Sequence, residues 1–197
     1  MNLRRSVKGI VSLIAAVLAL YLAGYFLIGR SFVPAEFSEA RRESAAVARE
    51  INQMINESLG SLEEISLQDR ERNFKQALVL VREELGRAQQ ARLKAIELVV
   101  GLGKMSKSAQ EIEPAKARDL AVEAIGSELT SLSHLVVYND ILNGLLQTLE
   151  LKFSGDLGAE AEDVQNLIKS LNAEAKEIND LNTLFNQKMQ EFDNLVG

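Results

Sequence analysis

Cysteine and tryptophan are absent from the 197 residues, proline occurs twice and histidine once. Without cysteine there is no disulfide, no thiolate metal site, no cysteine nucleophile and no lipid-modified cysteine. A single histidine, His134, excludes an HExxH zinc site and the paired Glu-x-x-His motifs of di-iron helical proteins, and position 131, where the glutamate would stand, is serine. Lying beside Leu135 on an apolar stripe, His134 reads as structural rather than as a haem ligand. No glycine-rich run follows a strand pattern, so phosphate-cradling loops are missing as well. The expectation is a protein without catalytic site, cofactor or metal.

What remains is rich in Ala, Leu, Glu, Lys, Gln and Arg, which favours helix nearly throughout. The net charge of -6 is unevenly placed: +4 over residues 1–30, zero over 31–107 and -10 over 108–197. An acidic domain lacks the basic face that phosphate backbones need, so nucleic acid is not expected as a partner.

The first thirty residues stand apart. In "KGIVSLIAAVLALYLAGYFLIGR", Lys8 to Arg30, no charge occurs from Gly9 to Ile28. Twenty residues at 1.5 Å each cover a hydrocarbon core of roughly 30 Å. Gly9, Leu13, Val17, Leu20, Tyr25 and Ile28 mark this predicted membrane anchor. The run exceeds the apolar core of a cleavable signal, which favours retention. Arg4, Arg5 and Lys8 precede it, so the positive-inside rule puts residues 1–8 in the cytoplasm and the rest outside. Ala15, Ala19 and Ala23 recur at the spacing that lets membrane helices approach closely, although alanine is also common in such helices.

Two processing routes compete with a retained anchor. Val33-Pro34-Ala35 has the small-x-small pattern of a signal-peptidase site, which would release a chain beginning at Glu36. "RRSVKG" followed by "IVSLIAAVLAL" resembles the leader of archaeal type IV pilin-like proteins, over about the first 25 residues. That resemblance implies a cut after Gly9 and a filament subunit. The glutamate usual near the start of bacterial pilin helices is missing, and Ile14 stands there instead.

Beyond the anchor, periodicity predicts four helices at about 35–59, 67–102, 114–153 and 160–196. Pro34 and Pro114 suit first helical turns, Gly60 and the Gly101/Gly103 pair read as stops, and "SLQD" at 66–69 reads as a helix entry. Inward positions include Phe37, Val47 and Ile51 on the first helix, and Phe74, Ala77, Val81, Ala88, Ala95, Ile96, Val99 and Leu102 on the second. The third stripe runs from Ala117 through Leu120, Leu132, Leu135, Tyr138 and Leu142 to Leu149. The last helix has the clearest pattern: Val164, Leu171, Ile178, Phe185 and Phe192, each seven apart, form a heptad core. "KMSKSAQEIE" at 104–113 reads as the longest connector. Arg82, Arg87, Arg92 and Lys94 read as solvated surface charge. Asp156, Glu160, Glu162 and Asp163 suit the positive end of the last helix dipole.

The predicted fold class is therefore all-α: an N-terminal transmembrane helix over 9–29, a juxtamembrane linker at 30–34, and an elongated, coiled-coil-like antiparallel four-helix bundle over 35–197. Functionally the chain reads as a single-pass protein of the cell membrane. Its extracytoplasmic bundle would contact membrane lipid on one side and a protein partner, or itself, on the other. The alternative is a sensory or carrier bundle that holds a small-molecule ligand between its helices, similar to chemoreceptor sensor bundles. Those normally return to the membrane through a second spanning helix, for which this chain has no second apolar run of twenty residues.

Overall fold

The computed structural model describes residues 31–155 and 161–197, and these are all-helical, with no β-strand among the described residues. Four helices follow one another: α1 (Ala35–Arg70), α2 (Phe74–Ala109), α3 (Ala115–Ser154) and α4 (Ala161–Val196). At 36 residues or more each, they are about 54 Å long or longer.

The α1/α2 boundary differs from the expectation. α1 passes through Gly60 and ends ten residues after it, at Arg70. Ile51, Ile55, Ser58, Leu62 and Ile65 continue one stripe across the glycine, and Ile65 is fully buried. An outward-facing helical glycine costs about 1 kcal/mol. Burial of the residues beyond it outweighs that. The turn falls instead at Glu71–Asn73, where Arg72 adopts a left-handed φ of 58°. Likewise α2 runs through Gly101 and Gly103 to Ala109, because Leu98, Leu102, Met105 and Ala109 all sit in the core. The expected connector at 104–113 is thus mostly helix.

Each helix packs antiparallel on the one before. Lys94–Glu50 (2.8 Å) and Lys104–Glu43 (3.4 Å) set the register of α2 on α1. Arg82–Glu150 (2.8 Å) and Arg92–Asp140 (3.6 Å) do so for α3 on α2. Lys188–Glu123 (2.7 Å) does so for α4 on α3. The cations expected to be solvated are therefore paired, Arg82 and Arg92 with α3, Arg87 and Lys94 with α1, though exposed pairs contribute only ~0–1 kcal/mol each.

Side-chain size decides how close the helices come. The buried face of α2 is dominated by Ala77, Ala88, Ala91, Ala95 and Gly101. At Gly101 the α1 backbone is so near that a Cβ would run into the Ser44 hydroxyl, which is buried without a partner. Phe74, Ile96 and Val99, expected inside, are exposed. Small residues and Leu98, Leu102 and Met105 take the core side of α2, while Phe74 lies across Phe153 at 5.8 Å.

α3 is the core helix, with every inward position named above buried. It is also the one helix among the described residues long and apolar enough to cross a membrane by length and composition. A core helix shared by two neighbours has the same composition. Ahead of α1, Phe32 and Glu113 exchange two 3.0 Å backbone hydrogen bonds, and Ser31 donates to the Val196 carbonyl at 2.9 Å. The chain thus enters at the end that holds the α2–α3 turn and the end of α4.

Candidate functional site

α1 and α4 close the array only through side chains: among the described residues no Cα of one lies within 8 Å of a Cα of the other. The residues that meet across this seam are large. At the entry end the Phe37 and Phe192 rings pack at 5.5 Å, and Arg41 makes a two-pronged pair with Asp193 at 2.6 and 2.8 Å. Of the heptad residues, Leu171, Ile178 and Phe192 are buried, while Val164 and Phe185 are half-buried. Bulky residues on both helices hold them apart, and α3 forms the floor of what opens between.

Two clefts result. The larger, about 650 Å³, lies toward the far end, with Leu62 and Ile65 of α1, Tyr138 and Leu149 of α3, and Ile168 and Leu171 of α4 among its walls. The smaller, about 150 Å³, is central, and its walls combine Ile51, Leu132, Ile178 and Phe185 with Asn182, Asn186, Ser131 and Glu128. Ser131 donates to the Asn182 side-chain carbonyl at 3.3 Å, fixing that amide at the wall.

Two glutamates are buried nearby, in opposite circumstances. Glu84 on α2 has 0% exposure, accepts from Ser58 of α1, and is paired with Arg87 one turn along its own helix. Glu128 on α3 has 9% exposure and faces the central cleft. Among the described residues no hydrogen bond or ion pair reaches it, and burial alone pushes its carboxyl up. Burial, with the Glu84 charge adding to it, also pushes the Tyr138 phenol up.

On the opposite side, along the outer seam of α2 and α3, apolar side chains face solvent. Leu93 is 67% and Ile96 57% exposed, with Val99 and Val100 beside them on α2 and Val122, Leu129 and Val136 on α3. The Arg92–Asp140 pair puts Ile96 level with Val136. Isolated exposed aliphatics are ordinary, but a run of them along one seam is the mark of a contact surface.

The anchor residues Gly9, Leu13, Val17, Leu20, Tyr25 and Ile28, the charges Arg4, Arg5 and Lys8, and Ala15, Ala19 and Ala23 lie outside the described residues, as do Asp156 and Glu160. His134 pairs with Glu174, its Nδ1 2.8 Å from the carboxylate. No cluster of three metal-ligating side chains occurs among the described residues. Glu84 and Glu128 were not foreseen from the sequence, yet each breaks an apolar stripe: Glu84 three residues after Val81, Glu128 midway between Ala124 and Leu132. An acid at a stripe position is the signal that finds them. Compared with known proteins, the chain matches no family model, no curated protein and no solved structure.

Proposed function

We propose that the protein is a single-pass membrane protein held by residues 9–29, with an antiparallel, coiled-coil-like four-helix bundle outside the cytoplasm. It acts as a structural interaction module rather than as an enzyme. The observation that carries this is the exposed apolar run along the α2/α3 seam, Leu93, Ile96, Val99 and Val100 with Leu129 and Val136. The occupant is a second copy of the chain. α2 carries seven basic and three acidic residues, whereas α3 carries three and five. A two-fold contact about this seam sets α2 of each copy against α3 of the other, so apolar faces meet while opposite charges flank them. The uncharged run from Gly9 to Ile28 and the basic residues before it support the anchor and its orientation. α3, the other apolar candidate, carries three basic and five acidic residues and packs its inward stripe against protein.

The absence of cysteine makes a direct test available. Full-length chains carrying Ile96→Cys and Val136→Cys are co-expressed with different tags and oxidised in alkali-washed membranes, so that a thiol on α2 of one copy meets a thiol on α3 of the other. Ile96→Cys co-expressed with Lys176→Cys, on the exposed side of α4, is the control. A mixed disulfide-linked dimer is expected from the first pair and not from the second. Recovery of the chain in the wash rather than the pellet refutes the anchor. No mixed dimer in either pair, or equal mixed dimer in both, refutes the α2/α3 contact.

A further inference from the structure

The central cleft between α1 and α4 lies on the face opposite the proposed contact and needs a separate explanation. Its one ionisable wall residue is Glu128, more than nine-tenths buried and without a partner among the described residues. A carboxylate in that position is costly unless a counter-charge sits beside it. The chain offers none there, because no lysine, arginine or histidine lines the cleft.

We propose that this cleft binds a small organic ammonium ion, a short primary alkylamine, with its charged head on Glu128. The walls argue for an organic cation over a metal. Calcium takes six to eight oxygens from several carboxylates, whereas only one carboxylate is present here. An ammonium group has three donors: the Glu128 carboxylate accepts, and the side-chain amides of Asn182 and Asn186, which line the same cleft, offer carbonyl acceptors for the others. Phe185 adds an aromatic ring, which attracts a cation over its face. Ile51, Leu132 and Ile178 supply the apolar surface that an alkyl tail covers. At about 150 Å³, against about 650 Å³ for the far-end cleft, the space suits a short alkylamine.

The test uses the full chain in nanodiscs, with propylammonium chloride as ligand, and reads both the melting temperature and the heat of titration. Sodium chloride at equal ionic strength controls for charge screening, and 1-propanol controls for the apolar tail. Propylammonium is expected to raise the melting temperature saturably where neither control does. Glu128→Gln is expected to weaken binding about 10- to 100-fold, the loss of one bond to a charged group. Ala48→Leu, which fills the cleft from α1 and leaves the carboxylate in place, is expected to abolish binding; it reads the site even if the glutamine variant does not fold. No effect of propylammonium beyond the controls overturns the proposal. So does binding that survives unchanged in either variant.

Discussion

Glu84 and Glu128 are the same side chain on the buried stripes of adjacent helices, and the protein treats them in opposite ways. Around Glu84, α1 and α2 are close: Ser58 reaches across to it and Arg87 folds back over it. Around Glu128, α1 and α4 stand apart, and the carboxylate faces a cleft. The difference originates in side-chain size. α2 presents alanines to its neighbours, so backbone and short polar groups come within bonding distance. The α1/α4 seam is built from phenylalanine, isoleucine and leucine, which hold the two helices apart and leave clefts at the centre and toward the far end. A buried charge surrounded by its own partners is an element of structure, whereas one without partners at a cleft is an opening for something else to bind.

Removing the partner from Glu84 is the strongest way to break this contrast. Arg87→Met keeps the stem and deletes the guanidinium, leaving a fully buried carboxylate with one neutral donor. The expected loss is about 3 kcal/mol, the lower end for breaking a buried pair, because Arg87 is itself partly exposed. Arg82→Met, whose pair with Glu150 is exposed on the arginine side, should cost no more than about 1 kcal/mol. Urea midpoints measured on both chains separate the two cases, and equal losses would show that Glu84 does not depend on its pair. Changing the acid itself has a smaller effect. Glu84→Gln keeps its shape and one acceptor but converts two bonds to a charged group into neutral ones, for an expected loss of about 1–2 kcal/mol.

Much of this architecture can be read from residue spacing, and what cannot has a physical cause. Every position expected on the α3 stripe from Ala117 to Leu149 is buried, because a core helix packed from two sides has a wide apolar face, whereas the buried Ser127, Glu128, Ser131, Asn139 and Leu146 are not foreseen. The α1/α2 turn was misplaced because Gly60 looks like a stop while the real turn, Glu71–Asn73, contains neither glycine nor proline. Local propensity of about 1 kcal/mol is a weak guide where Leu62 and Ile65 continue the stripe. Periodicity expects Ile96 and Val99 inside, and their exposure is what the proposed α2/α3 contact rests on. The clefts were beyond the sequence, since they depend on the distance between two helices more than a hundred residues apart in the chain. Glu128 is not foreseen either, although an acid at a stripe position between Ala124 and Leu132 is a signal the sequence carries.

The smallest expected effect carries the opposite sign, and its pH dependence identifies its cause. In the folded chain burial raises the Glu128 carboxyl above its ordinary value of 4.5. Below that value Glu128 is protonated in both folded and unfolded chains and contributes no difference. As pH rises through 4.5 the unfolded chain releases the proton while the folded chain retains it, so stability falls until pH passes the folded value and then levels off. Glu128→Gln removes the titrating group. It should match the parent at about pH 4 and exceed it by about 1 kcal/mol at about pH 7, the opposite of Glu84→Gln. Urea midpoints of the two chains across this range give the difference directly, because the chains differ at this one side chain. A constant gap at all pH values would mean that Glu128 is not the origin. Saturating propylammonium should then remove the advantage of the glutamine variant at neutral pH, because the parent alone gains a counter-charge.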